Sequence, residues 1–132
     1  MLAGVFRTVL LANNKYMITK ITILGRPISK KNNRRNFFHT SLPSKAYEKF
    51  REDALWQLKK TPAVFYEMGY SVKYVFHMKG KLDTDIDNMM GGINDILQDA
   101  QVIVNDKLIF EVKANKLPGG KDWWTELEIE GF

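Results

Sequence analysis

Residues 69–80 (GYSVKYVFHMKG) are the segment that most constrains the fold, because their side chains alternate in polarity. The apolar side chains fall on every second residue, namely Tyr70, Val72, Tyr74, Phe76 and Met78. Period-two alternation predicts a strand that buries one face. His77 lies on the opposite, mostly polar face, so we expect a solvated histidine there rather than a metal ligand.

An amphipathic helix is predicted shortly after this strand. The apolar residues recur at helical spacing: Ile86, Met89, Met90, Ile93 and Leu97. Gly91 and Gly92 interrupt the pattern, and each costs a helix about 1 kcal/mol relative to alanine. The glycine pair therefore indicates either close approach by another backbone, subunit or ligand, or a local weakness.

The remaining pattern predicts a small α/β (α+β) domain with a mixed sheet and two main helices. Residues 16–24 are predicted to form a strand, and residues 44–60 a helix with Ser44 as N-cap. Residues 101–106 and 108–113 are expected to be two short strands around a turn, and residues 117–120 lead to a last strand over 123–129. Residues 1–16 are expected to be an N-terminal extension, ordered or disordered, ahead of one domain spanning residues 17–132.

Composition excludes several classes of site. The 132 residues include no cysteine, so a disulfide, a thiolate nucleophile and a cysteine zinc site are impossible. The mildly apolar residues 1–14 lack a basic first region and are interrupted by Arg7, which argues against a secretion signal or a membrane span. We expect a cytoplasmic protein.

Charge is distributed unevenly along the chain, whose net charge is +5. Residues 1–80 carry 15 Lys or Arg against 4 Asp or Glu, and residues 81–132 carry 5 against 11. Such asymmetry indicates that one half binds a polyanion and the other half something cationic. The alternative is charge complementarity within the molecule or between subunits.

Residues 29–40 (SKKNNRRNFFHT) form a polar segment, predicted to be a loop, that could contact nucleic acid. Cations able to neutralise phosphates, Lys30, Lys31, Arg34 and Arg35, stand beside two phenylalanines able to stack on bases. Alternatively, the two phenylalanines begin a strand that docks into the core.

Residues 81–97 (KLDTDIDNMMGGINDIL) place Asp83, Asp85 and Asp87 at alternate positions. One such aspartate could cap the helix, but three exceed that need. A calcium loop of the EF-hand type fails because Asn88 and Asn94 occupy the positions that require glycine and glutamate. The third interpretation is a carboxylate site for Mg²⁺ or Mn²⁺, completed by Asp106, of the kind that activates water and stabilises the leaving oxygen in phosphodiester hydrolysis.

The motif DTDIDN…INDIL…VIVNDKLIFEVK resembles the RusA-like Holliday junction resolvases, which are small cellular and phage endonucleases. Asp85, Asp87 and Asn88 stand at the D-x-D-N positions of that family. Asp95 falls at its mid-helix aspartate, and residues 105–106 fall at its D-D pair. The resemblance extends over roughly residues 17–130, including a basic loop between the first strand and the first helix.

The resemblance implies a compact α/β fold, an intertwined homodimer and Mg²⁺-dependent paired nicking of branched DNA in recombination and repair. Asp85, Asp87 and Asp106 would be the catalytic, metal-binding carboxylates, and Asp95 a supporting residue. The cations expected to contact DNA are Lys30, Lys31, Arg34, Arg35, Lys81 and Lys107. Two alternatives remain: a weak or inactive branched-DNA-binding protein of the same fold, and an interaction domain that binds no nucleic acid.

Two positions depart from the family pattern. Gly91 stands where the family usually has a lysine, and Asn105 replaces the first aspartate of the D-D pair. Lys81 and Lys107 flank the motif and are candidates to supply the missing charge. If neither does, alanine at each position leaves cleavage essentially unchanged.

Overall fold

The computed structural model describes residues 5–10, 17–30, 34–37, 40–81 and 84–132. A five-stranded mixed sheet carries two helices, in agreement with the predicted fold class. The elements are β1 (Val5–Leu10), β2 (Met17–Leu24), β3 (Arg34–Phe37), β4 (Thr40–Pro43), α1 (Lys45–Gln57), β5 (Tyr70–Lys79), α2 (Ile86–Asp99), a 3-10 helix (Asp106–Leu108), β6 (Ile109–Gly120) and β7 (Trp124–Gly131).

The sheet has the strand order β1-β2-β7-β5-β6. β5 pairs antiparallel with β7 and parallel with β6, so that Tyr70 lies opposite both Gly131 and Ile109. β6 is an edge strand of this sheet, and nearly all of its side chains are exposed. β5 alternates between buried and half-buried residues, which confirms the strand predicted from its polarity.

The core lies between the sheet and the two helices. Tyr70, Tyr74 and Phe76 of β5 are fully buried, as are Met89 and Ile93 of α2. Both predicted helices are therefore confirmed, with the apolar face of α2 packed inward. In the part of the chain that the structure describes, no helix is long and apolar enough to cross a membrane.

α1 begins as the sequence predicts, because the Ser44 hydroxyl accepts a hydrogen bond from the Tyr47 N–H at 3.1 Å. At its other end, the buried Gln57 side chain bonds both backbone groups of Leu24. Within the described residues, the pairing of β1 with β2 extends to Thr22, and Gln57 satisfies both backbone groups of Leu24 two residues further on. This contact fixes α1 against the end of β2.

The strand predicted over residues 101–106 is wrong. Gln101 has a left-handed backbone with φ of 60°, and the Val102 N–H donates a hydrogen bond to the Leu97 carbonyl at 2.9 Å. Together these features define a Schellman C-cap on α2. Val102 and Ile103 are apolar because they cover the end of the helix, where both are buried. The next strand, β6, is longer than predicted and includes residues 117–120.

Part of the predicted polar loop is a hairpin, because β3 pairs with β4 between Arg34–Pro43 and Phe37–Thr40. Phe38 and His39 lie outside the described residues. Within the predicted N-terminal extension, Val5–Leu10 forms β1. The domain boundary at residue 17 stays a prediction.

Candidate active site

Asp85 and Asp87 lie where α2 begins. Asp85 occupies the N-cap position with extended backbone angles, but its side chain makes no capping hydrogen bond. Asp87 is in the first turn, and its Oδ1 accepts a hydrogen bond from the Asn88 N–H at 3.0 Å. Both side chains are exposed. The capping interpretation therefore does not account for the Asp85 carboxylate, while Asp83 lies outside the described residues.

Asp106 is positioned by hydrogen bonds that connect its segment to β5 and α2 and by one within its own turn. The Tyr70 hydroxyl accepts a hydrogen bond from the Val104 N–H at 3.2 Å, which fixes the segment before it. The Asn105 side chain accepts from the Lys107 N–H at 2.9 Å and so caps the 3-10 helix. The Asp106 N–H donates to Gln98 Oε1 of α2 at 2.6 Å. Capping needs only a side-chain oxygen, so asparagine can cap the 3-10 helix at position 105 as aspartate would.

Asp95 of α2 is half-buried where this helix meets the segment after β2. Burial is the main cause that raises the pKa of its carboxyl, and the negative charges of Asp99 and Asp106 raise it further. The Lys30 backbone N–H donates to this carboxylate, and this bond and the Lys30 charge oppose the rise. Asp95 therefore holds Lys30 against α2, which supports the expectation that it is a supporting residue.

The middle of α2 is tied to the sheet through Tyr74. Its hydroxyl donates to Asn94 Oδ1 at 2.5 Å. Burial raises the pKa of Tyr74 well above its usual range, and the charge of Asp106 adds to the rise. Asp106 is thus close enough to influence both Tyr74 and Asp95, which locates it beside the second half of α2.

The three predicted carboxylates are not assembled within one chain. Asp87 precedes Asp95 by eight residues, which is roughly 12 Å along the helix axis at 1.5 Å per residue. Asp106 lies beside Asp95 or beyond it, as its bond to Gln98 requires. Across the described ranges, no group of three or more His, Asp or Glu side chains could hold a metal ion.

The predicted DNA-binding cations occupy several elements. Lys30, Lys81 and Lys107 are exposed, and Lys107 directly follows Asp106. Arg34 and Arg35 begin β3, opposite Pro43 and Leu42 of β4. Lys31 lies outside the described residues.

Two basic residues that the sequence analysis did not select hold the segment before α2. Arg26 Nη2 donates to the Thr84 hydroxyl at 3.2 Å, and Lys116 Nζ donates to the Thr84 carbonyl at 3.2 Å. Thr84 directly precedes Asp85 in the chain. Arg26 follows the predicted first strand within a Gly-Arg-Pro turn, and that location was the available sequence signal.

The family follows from comparison with known proteins. Residues 24–130 match the model of a family described as endodeoxyribonuclease RusA. The chain belongs to the RusA family. A protein named crossover junction endodeoxyribonuclease RusA, from Aquifex aeolicus (strain VF5), is 37% identical over 73 residues, which are 52% of this chain and 56% of the relative. The chain thus spans about half the length of this curated relative, and the resemblance drawn from the aspartate motif is confirmed.

Gly91, the position where the resemblance implies a RusA-family lysine, has space for a side chain. A Cβ at Gly91 would meet only the Ser29 hydroxyl oxygen, at 3.8 Å. A Cβ at Gly92 would lie 2.6 Å from the Ile28 carbonyl oxygen, which is too close. The prediction that another backbone approaches the glycine pair is therefore confirmed for Gly92, while packing does not require glycine at position 91.

Proposed function

We propose that this chain is a divalent-metal-dependent endonuclease that resolves four-way DNA junctions by paired nicks, in recombination and repair. The observation that carries the proposal is the start of α2, where the Asp85 side chain makes no capping bond and Asp87 is exposed beside it. The helix N-terminus favours negative charge, and carboxylate oxygens that are not used for capping can bind a cation there. Membership of the RusA family supports the same chemistry.

Mg²⁺ is the cation that fits this donor set best, with Mn²⁺ as a substitute. Mg²⁺ prefers oxygen ligands and is usually held by one or two carboxylates together with waters and substrate phosphates. Asp85 and Asp87 would hold it, and Asp106 would complete the site. When bound, the cation neutralises charge on the phosphodiester and lowers the pKa of water.

The separation between Asp87 and Asp106 supports a site shared between two chains. In a two-fold dimer, the start of α2 in one chain can approach Asp106 of the partner subunit. Two symmetric sites of this kind would make the paired cuts that a four-way junction requires. We therefore propose a homodimer in which each site combines Asp85 and Asp87 from one chain with Asp106 of the partner subunit.

The exposed edge of the sheet supports a second copy of the chain as the occupant of this surface. β6 offers 12 residues of edge strand directly after the 3-10 helix that carries Asp106. Phe110 and Val112 are 57% and 49% exposed, and Phe110 packs edge-on against Phe132. A long edge strand with exposed apolar side chains invites pairing with another chain. Its position beside Asp106 brings the proposed dimer contact and the proposed site together.

The basic residues would hold the DNA backbone on either side of the site. Lys30 is anchored to α2 through its backbone bond to Asp95, and Lys31, Arg34 and Arg35 follow it in sequence. Lys81 and Lys107 flank the two carboxylate groups. Lys107, which directly follows Asp106, is our candidate for the positive charge that Gly91 does not supply.

The test is incubation of the purified protein with a synthetic four-way junction or a matched linear duplex, in Mg²⁺, Mn²⁺ or EDTA. We expect paired nicks in the junction alone, lost in EDTA and reduced by at least about 100-fold in Asp87→Asn, since the variant removes a metal ligand. Glu52→Gln, which removes an exposed carboxylate of α1 outside the motif, is the matched control. Junction binding without cleavage in any metal would favour the inactive DNA-binding protein, and absence of binding would contradict both.

A further inference from the structure

A groove lined by cations and tryptophans lies outside the predicted DNA-binding residues. It occupies about 760 Å³ between the end of β2 and the start of β7. Its charged and aromatic lining residues are Arg26, Lys79, Lys121, Asp122, Trp123 and Trp124. This volume lies within the range of small-ligand sites in proteins.

The charge of the groove favours an anionic occupant. Arg26, Lys79 and Lys121 are exposed cations, and Asp122 is the acidic residue of the lining. Three positive charges against one negative charge attract phosphates rather than peptides or sugars.

The aromatic rings of the groove are held in place. The Arg26 guanidinium lies 5.1 Å from the centre of the Trp123 ring. Trp124 stacks on His77 with 3.6 Å between ring centres and only 2° between ring planes. The Gly25 N–H bonds the Trp123 carbonyl at 2.9 Å, which joins the two walls. Fixed aromatic rings next to phosphate-binding cations are the components of single-strand recognition, where bases stack on side chains.

Arg26 connects the groove to the candidate active site. Arg26, whose guanidinium covers Trp123, also donates a hydrogen bond to the Thr84 hydroxyl. Thr84 is bonded in addition by Lys116 and directly precedes Asp85. A DNA strand bound at the start of α2 would therefore reach this groove within a few nucleotides.

We infer that the groove binds unpaired nucleotides of the DNA strand that leaves the cleavage site, with a base stacked against the Arg26–Trp123 pair and phosphates on Lys79 and Lys121. This inference rests on the proposed function. It gives a physical reason for preferring branched DNA, because only an opened or distorted strand offers an unstacked base to a tryptophan.

The experiment measures binding of a fluorescently labelled oligothymidylate of about 12 nucleotides to the full chain in EDTA, by polarisation. Loss of one stacked base predicts that Trp123→Ala weakens binding by about 10-fold. Lys121→Glu changes an exposed side chain and is expected to weaken binding and to lower its salt dependence. The matched control is Trp56→Ala. Trp56 is 59% exposed on α1, and the cation next to its ring is Lys59, which does not line the groove.

Wild-type affinity in both Trp123→Ala and Lys121→Glu would overturn the inference, as would an equal loss in Trp56→Ala. Because EDTA prevents cleavage, this result is independent of the nuclease test. If the protein cuts junctions but the groove variants bind oligothymidylate as tightly as the wild type does, only the inference about the groove is contradicted. A protein that binds through the groove but never cuts contradicts only the proposed function.

Discussion

At the scale of single residues, the carboxylates differ in what surrounds them. Their identity and spacing could be read from the sequence, because alternate aspartates before a helix are unusual enough to require a reason. The sequence could not show that Asp106 lies beside the second half of α2. That position depends on the hydrogen bond from its N–H to Gln98 and on the capped turn before it. The spacing of residues along the chain does not show which segments such contacts bring together.

Asp95 offers a direct test of where Asp106 lies. Burial, Asp99 and Asp106 raise the pKa of Asp95 above its ordinary 3.8, so we expect a carboxyl titration midpoint above that value by NMR in EDTA. The folded state then holds this proton more tightly than the unfolded state. The contribution of Asp95 to stability therefore falls as the pH rises from 3.8 through the midpoint, and is constant above it.

Asp106→Asn removes one of these negative charges and should lower the Asp95 midpoint. Asp122→Asn serves as the control, because its carboxylate is not among the causes of the shift. An unchanged midpoint in Asp106→Asn would show that Asp106 lies far from this part of α2.

At the scale of elements, polarity patterns predicted strands and helices where the pattern was long. β5 and α2 each bury one complete face, so a period is visible over ten residues or more. The strand predicted over residues 101–106 is wrong because a short apolar run fits a strand and a helix cap equally well. The left-handed backbone of Gln101 decides between them, and glutamine at this position gives no signal of it.

The packing of α2 on the segment after β2 predicts opposite effects at two adjacent glycines. Gly92→Ala should destabilise the protein by about 1–3 kcal/mol, because its Cβ would overlap the Ile28 carbonyl. Gly91→Ala should be neutral or stabilise by up to about 1 kcal/mol, since alanine favours helix and the space is open. Thermal unfolding of both variants checks this. Equal destabilisation in the two would contradict the close approach of Ile28 to Gly92.

At the scale of the whole molecule, the uneven charge of the sequence now has a structural counterpart. Two surface ion pairs join the basic half to the acidic half, Arg51–Asp99 at 3.1 Å and Lys20–Glu128 at 3.7 Å. Charge complementarity within the molecule and binding of a polyanion are compatible, because other cations of the basic half, such as Lys30, stay exposed. The proposed dimer contact could not be derived from the sequence, since the exposed edge of β6 becomes apparent only once the strand order is known.

We propose that two chains share each active site, and mixed dimers test this proposal most directly. Asp87→Asn and Asp106→Asn chains carrying different affinity tags would be co-expressed, and the heterodimer purified and assayed on a labelled four-way junction in Mg²⁺. A shared site predicts that each homodimer is inactive while the heterodimer nicks the junction, because one of its two sites keeps Asp87 from one chain and Asp106 from the other. A heterodimer as inactive as both homodimers, under conditions where the wild-type protein cuts, would contradict the account.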